Sequence, residues 1–415
     1  MKENLNEHFC LSPFNSVSIS PRGVIRPCCW QSTAVLHTSQ PNVKTLKEEI
    51  KWPTQYIKDL QQVMLSNDNI PKKAPECSSC WVGEQNINWS HRRKYNHRWL
   101  KSVNQISDQE LQEVIANPKI ATVEVQFGYL CNNSCVMCSP AQSSHLHTTH
   151  VKLAEQTSNE EQKNFYKSRF YFLDEHKKDW TTDPESFEKV KNLCEDALEI
   201  NISGGEPMMN PKLKTFLEFI VSKKVKLRHM MFTTNGTIYD QEIVDLLNKL
   251  PSLTFKISLE SIGAQEEFLR WPTNWEEKDS IIKKYLQNIK NQKTLFLFSS
   301  VIQSLNIFDL ADVKKYVTSL DTAKNTMYQL QVTSNTQVSS LWNTSNDYLD
   351  YYLNEFSEDK KMPQVTQHIK LVRNSTDRNI TRQVRFYQDL MQLQKKNFED
   401  IFPVYYKHHK NYFNK

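Results

Sequence analysis

The sequence predicts an α/β fold built on a mostly parallel sheet with helices outside it. Two observations carry this. Six apolar strand candidates, near 120–127, 198–203, 228–234, 254–260, 294–302 and 326–332, alternate with amphipathic helical stretches; such alternation implies parallel strands joined by crossover helices. No run of about 18 apolar residues interrupts the pattern, so no membrane-spanning helix is expected. Six repeats fall short of the eight that close a barrel.

The elements follow in chain order. Segment 14–28 reads as a hairpin with Pro21-Arg22-Gly23 at its turn. Ser107 to Glu110 has the spacing of a capping box opening a short helix. In the first strand of the repeat, Ala121, Val123, Val125 and Phe127 share one face at period two. Helical faces then recur: Phe187, Val190, Leu193, Cys194, Ala197 and Leu198; Leu213, Phe216, Leu217 and Ile220; Ile243, Leu246, Leu247 and Leu250; Ile282, Tyr285, Leu286 and Ile289; Leu310, Val313, Val317 and Leu320. On the first of these, Cys194 is expected to be a packed thiol. Beyond 336, Trp342, Leu349, Tyr352, Leu353 and Phe356 continue in helical spacing with no chemistry of their own.

The chain has 415 residues, which suits two or three units. We divide it into 1–105, a small α+β unit, 106–335, the sheet-and-helix core, and 336–415, a helical extension. An excess of 52 basic over 47 acidic residues gives a net charge of +5, too mild to argue for nucleic acid. The start, Met-Lys-Glu-Asn-Leu-Asn-Glu, has no apolar signal core. A cytoplasmic protein is therefore expected, and there nine cysteines point to metal rather than disulfides.

Chemistry concentrates in Cys131-Asn132-Asn133-Ser134-Cys135-Val136-Met137-Cys138, the loop after the first strand of the repeat. Three thiolates can hold an iron–sulfur cube by three corners and leave one iron open to bind something. A closed zinc site wants four ligands. Packing as three small hydrophobes suits the polar Asn132, Asn133 and Ser134 poorly. Glycine is scarce, seven in all. A pair stands in Ser203-Gly204-Gly205-Glu206-Pro207, directly after a strand, where backbone must take unusual dihedrals or approach something closely.

The Cys-x3-Cys-x2-Cys motif followed by Gly-Gly-Glu-Pro resembles the radical S-adenosylmethionine (SAM) superfamily. The resemblance implies a partial (β/α)6 TIM barrel. It implies that Cys131, Cys135 and Cys138 bind a [4Fe-4S] cluster, and that Gly204, Gly205, Glu206 and Pro207 hold the SAM amino group. Ser258 and Glu260 would reach the ribose hydroxyls, and Arg270 the carboxylate. Asn306 is similar to a SAM-side asparagine. Met137 stands where the family usually has an aromatic residue near adenine.

Cys10-x12-Gly23-x4-Cys28 with Cys77-x2-Cys80 resembles the twitch (short SPASM) domain and implies an auxiliary [4Fe-4S] cluster, with Cys29 in reserve for Cys28. The same four cysteines also describe a zinc ribbon. The module usually follows the barrel and here precedes it. About sixty-five residues separate Cys138 from Gly204, and the aromatic insert near 150–182 would serve either as a substrate lid or as core packing.

The implied function is reductive cleavage of SAM to a 5′-deoxyadenosyl radical that abstracts hydrogen from a substrate. A flavodoxin or ferredoxin would supply the electron, and the auxiliary cluster would assist a redox step. Peptide or protein modification and small-molecule oxidation both fit. The alternatives are a nucleic-acid- or nucleotide-modifying radical enzyme, favoured only by the basic-aromatic run 89–98, and a non-catalytic zinc-ribbon interaction protein.

Overall fold

A computed structural model describes residues 5–31, 41–45, 50, 52–66, 69–87, 90–102, 105–169, 179–320, 325–332, 338–375 and 378–413. Its centre is one sheet of eight strands: β1 (Ser16–Ile19), β2 (Ile25–Arg26), β3 (Thr122–Gln126), β4 (Glu199–Ser203), β5 (His229–Thr234), β6 (Leu253–Ser258), β7 (Thr294–Ile302) and β8 (Thr326–Val332). The order is β2-β1-β3-β4-β5-β6-β7-β8. Strands β3 to β8 are the six read from the sequence, and each pairs in parallel with the next.

The expected hairpin also forms, with Ser18 opposite Arg26. Its first strand then lies parallel to β3, with Ser16 opposite Thr122 and Ile19 opposite Val125. The amino-terminal segment therefore extends the barrel sheet, which the local pattern could not show. This pairing brings a segment that precedes the barrel in sequence against the barrel's own first strand.

The faces of the sheet explain its alternation. Val123, Val125, Ile200, Ile202, Met230, Phe232, Phe255 and Ile257 are fully buried against the outer helices. Between them, half-buried Glu124, Asn201, Met231, Thr233, Lys256 and Ser258 point to the other side. Glu124 pairs with Asn201, Asn201 with Met231, and Thr233 with Lys256, so these side chains form one largely polar inner face. A sheet with one greasy and one polar wall is what a barrel needs to hold something inside.

The outer helices are those expected, Leu213–Phe219, Gln241–Leu247, Trp275–Asn288 and Leu310–Ser319. Cys194 is a buried packed thiol in the same core, and the capping box at Ser107 and Glu110 is present. The carboxy-terminal helices pack in a second core with Phe268, Leu269, Ile302, Leu305 and Leu310, over the loops that leave β6 and β7. No described helix is long and apolar enough to cross a membrane.

The insert's described parts are packed. Helices Ser144–Gln156 and Glu160–Ser168 lie against Ile380–Gln394, where buried Tyr166 donates to Asp389 at 2.7 Å. Trp180 is buried beside Phe127 and donates to the Gln126 carbonyl at 3.0 Å. Phe170, Tyr171 and Phe172 lie outside the described residues.

Candidate active site

The cysteine loop leaves the C-terminal end of β3, where barrel enzymes keep their chemistry. Both sides of the loop are held by backbone hydrogen bonds. Gly205 donates to the Gly128 carbonyl at 3.0 Å and Glu206 to that of Leu130 at 2.7 Å. Opposite, Ser134 donates to the Trp271 carbonyl at 2.6 Å and Val136 to that of Leu269 at 2.9 Å. Ser144 clasps the start of the loop, accepting from the Cys131 amide at 3.1 Å.

The glycine pair is explained by this packing. A Cβ on Gly205 would stand 2.2 Å from the Leu130 oxygen, and Gly204 has φ +135° with its own Cβ position 2.8 Å from the Gly128 oxygen. Only residues without a side chain let the two backbones meet. The Glu206 carboxylate is fully buried and accepts from Met208 N, Thr234 Oγ1 and Asn235 N at 3.1, 2.8 and 2.6 Å. Asn235 in turn donates to Asn132 of the cysteine loop at 2.8 Å. Thus Glu206 locks the end of β5 to the loop, and Pro207 begins the short turn that follows.

Burial pushes all three thiols of the loop upward, Cys131 to about 12 with Cys135 adding to it, and Cys138 further still with Cys135 and Cys131 adding. Thiols held together with their protons bound tightly are a trap for a cation, because metal binding replaces the protons. The Asn133 amide donates to Cys131 Sγ and Arg270 Nη1 to Cys135 Sγ, both at 3.5 Å. Both donors favour negative sulfur.

Glu260 and Arg270, expected to take separate parts of SAM, are joined in a buried ion pair at 2.7 Å. The other Glu260 oxygen accepts from Val301 N at 2.7 Å. Arg270 thus bridges Glu260 and Cys135. Ser258 ends β6, its carbonyl accepting from Lys278 at 2.8 Å. Lys278 also pairs with Glu266 at 2.5 Å, and Glu266 accepts from the Glu260 and Ser261 amides. Sequence reading missed Glu266 and Lys278, since charges on two amphipathic helices look solvated. Asn306 holds its own loop, donating to the Glu260 and Val301 carbonyls at 3.0 Å. Met137 is buried within the loop.

A second group of thiols lies at the other end of β1 and β3. Burial raises Cys28 well above its ordinary value, and Cys80 and Cys10 raise it further. Cys77 is raised by burial and then by Cys28, Cys10 and Cys80. The structure therefore brings together Cys10, Cys28, Cys77 and Cys80, while Cys29 faces Glu124, donating its amide to Oε2 at 2.8 Å.

The basic run is not a free face. Buried Arg92 pairs with Glu84 at 2.6 Å and donates to the Phe9 carbonyl at 2.9 Å, one residue before Cys10. Arg98 pairs with Glu199, and buried Tyr95 donates to Asn15 at 2.9 Å. These residues fasten the amino-terminal segment to the sheet; Trp89 lies outside the described residues.

Residues 125–317 match the model of the radical SAM superfamily, and that span contains the cysteine loop, the glycine pair and the Arg270 bridge. This stretch is a radical SAM domain. The matched stretch carries the domain found in radical SAM enzymes, and that domain implies a [4Fe-4S] cluster and SAM. No curated protein matches the chain. Among solved structures, it is similar to SuiB of Streptococcus suis at 14% identity, covering 90% of this chain and 70% of that one, TM-score 0.35. It is also similar to anSMEcpe with bound AdoMet and Cp18Cys peptide, at 12% identity, 57% and 61% coverage and TM-score 0.33. A third is TYW1 with a lysine-pyruvate adduct, at 13% identity, 57% and 73% coverage and TM-score 0.30.

Proposed function

We propose that the chain uses Cys131, Cys135 and Cys138 to hold a SAM-binding [4Fe-4S] cluster and Cys10, Cys28, Cys77 and Cys80 to hold an auxiliary [4Fe-4S] cluster. Its activity is hydrogen abstraction from a peptide or small molecule on the polar inner face of the sheet. When bound, cluster and SAM supply one-electron cleavage of the sulfonium, giving a 5′-deoxyadenosyl radical, with the electron drawn from a flavodoxin or ferredoxin.

The observation that carries this reading is the cysteine loop itself, clamped between the Gly204–Pro207 segment and the Arg270 segment at the C-terminal end of β3.

The chain's own residues do the rest. Arg270 donates to Cys135 while Glu260 fixes the guanidinium, so the bridge holds charge beside the cluster in a dry setting. Glu206 and Asn235 keep the loop in register with β5. The carboxy-terminal helices cover the loops after β6 and β7 and exclude water there. Glu124, Asn201 and Lys256 present polar groups to the substrate, and burial pulls the Lys256 ammonium down to about 8.

Anaerobic reconstitution should give about eight irons per chain, and about four after Cys77→Ala with Cys80→Ala. Dithionite with SAM should yield 5′-deoxyadenosine from the native chain. Triple alanine replacement of Cys131, Cys135 and Cys138 should abolish it; an unchanged yield would remove the assignment.

A further inference from the structure

We propose that Cys29, His91 and Glu124 form a mononuclear metal site of the zinc class, separate from both cysteine groups. The three come from different parts of the chain: Cys29 follows β2, His91 opens the helix His91–Leu100, and Glu124 sits midway along β3. Their donor atoms all lie within 4.8 Å of one another. A thiolate, an imidazole and a carboxylate are three ligands that zinc accepts, and together they leave a fourth position open. A tetrahedral ion holds such atoms roughly 3.3–3.8 Å apart, so side-chain rotations of about 1 Å complete the site.

Three further observations support the site. His91 Nε2 is buried and has no hydrogen-bond partner among the described residues. An orphaned ring nitrogen in a buried place is costly unless something binds it. The imidazole plane is also fixed, by Trp30 at 6.3 Å on one side and Tyr95 at 6.1 Å, both near parallel to it. In addition, Glu124 Oε2 accepts the Cys29 amide at 2.8 Å, which ties the carboxylate to the thiol-bearing residue.

The alternative for Cys29 is to join Cys28 on the auxiliary cluster. Its surroundings speak against that. The charged groups acting most strongly on Cys29 are Glu124, Cys28 and Arg26, whereas Cys28 faces Cys80 and Cys10. Glu124 belongs to the polar inner face, with Lys94 and Lys256 among the charges acting on Cys29's surroundings. An ion there would take a water or a donor atom of the substrate in its open position. The site does not depend on the radical chemistry proposed above.

The test uses the full chain with both clusters reconstituted, dialysed against a zinc salt and then against buffer. Elemental analysis should find about one zinc per chain beside unchanged iron. Zinc-edge X-ray absorption should show a single sulfur neighbour, lost in Cys29→Ser. His91→Gln and Glu124→Gln should each lower retained zinc at least tenfold; His91 is partly exposed at a helix start, so its variant keeps the decision open if Cys29→Ser fails to fold. Zinc well below one per chain, several sulfurs around the ion, or retention unchanged in the two variants would overturn the site. Loss of about four irons in Cys29→Ser would instead put this thiol on the auxiliary cluster and overturn it as well.

Discussion

Replacing Gly205 with alanine tests whether close backbone contact sets the position of the cysteine loop. The new methyl would stand 2.2 Å from the Leu130 oxygen, 2.6 Å from Tyr129 C and 2.7 Å from the Tyr129 oxygen. Ordinary contact begins near 3.4 Å, so one backbone must retreat by roughly 1.2 Å. Neither can do so freely. The bonds from Gly205 to Gly128 and from Glu206 to Leu130 cross this gap at 3.0 and 2.7 Å, and the far side of the loop is held by residues 269–271. Overpacking costs about 1–3 kcal/mol, and weakening two hydrogen bonds adds about 1–2 kcal/mol. A displacement of about 1 Å at a reacting centre costs about a hundredfold in rate. We therefore expect Gly205→Ala to form 5′-deoxyadenosine about a hundredfold more slowly under dithionite and SAM, with iron at the Cys10 group retained. Gly263→Ala is the control, because no atom lies within 4 Å of its Cβ position, although its φ of +60° carries local strain. Its rate should stay within a few-fold of the native chain. A native rate and native stability in Gly205→Ala would refute the reasoning.

Three other outcomes follow from the same geometry. Arg270→Met leaves Glu260 buried without its cation and should cost about 3–5 kcal/mol in anaerobic denaturant unfolding, partly recovered in the Glu260→Met, Arg270→Met double variant. Burial raises the Asp309 carboxyl to about 7, against a donated bond from Ser261 that lowers it. A folded value above the unfolded one means that stability is fully present below about pH 4 and is lost as pH rises through about 7. The melting temperature of the native chain should accordingly fall from pH 5 to pH 8 relative to Asp309→Asn, and parallel profiles would contradict this. Trp180→Ala removes a fully buried ring and its bond to β3, and should cost about 3–5 kcal/mol by the same unfolding measurement.

The six parallel strands were legible because each alternates an apolar outer face with a polar inner one, as Val123, Glu124 and Val125 do. The three thiols of the loop and the glycine pair were legible because short spacing encodes them. The long-range partners were not. Nothing local in Ser16–Ile19 says that it will lie beside β3, since parallel pairing joins residues a hundred positions apart. Ser258 and Glu260 lie two apart, but β6 ends at Ser258, and Glu260 turns to Arg270 and Val301. Lys278 and Glu266 resemble solvated helix charges until folding buries them. The run around Arg92 resembled a binding face until Glu84 and Phe9 claimed its charge.

The amino-terminal segment that carries Cys10 and Cys28 reaches the barrel sheet through the backbone ladder itself, by the pairing of β1 with β3. Ala121, at the start of β3, donates to the Asn15 carbonyl at 2.8 Å, just after the Cys10 segment; Cys131 follows the other end of the same strand. The five residues of β3 span roughly 17 Å. The two cysteine groups thus flank one strand, with Glu124 and Lys256 on the inner face between their levels. Moving either group along the sheet would require a shift in the β1–β3 register, and a shift of one residue would turn Val17 and Ile19 out of the core. The apolar packing of β1 therefore fixes the separation of the two groups, so their places in the sequence matter less than the strand that joins them.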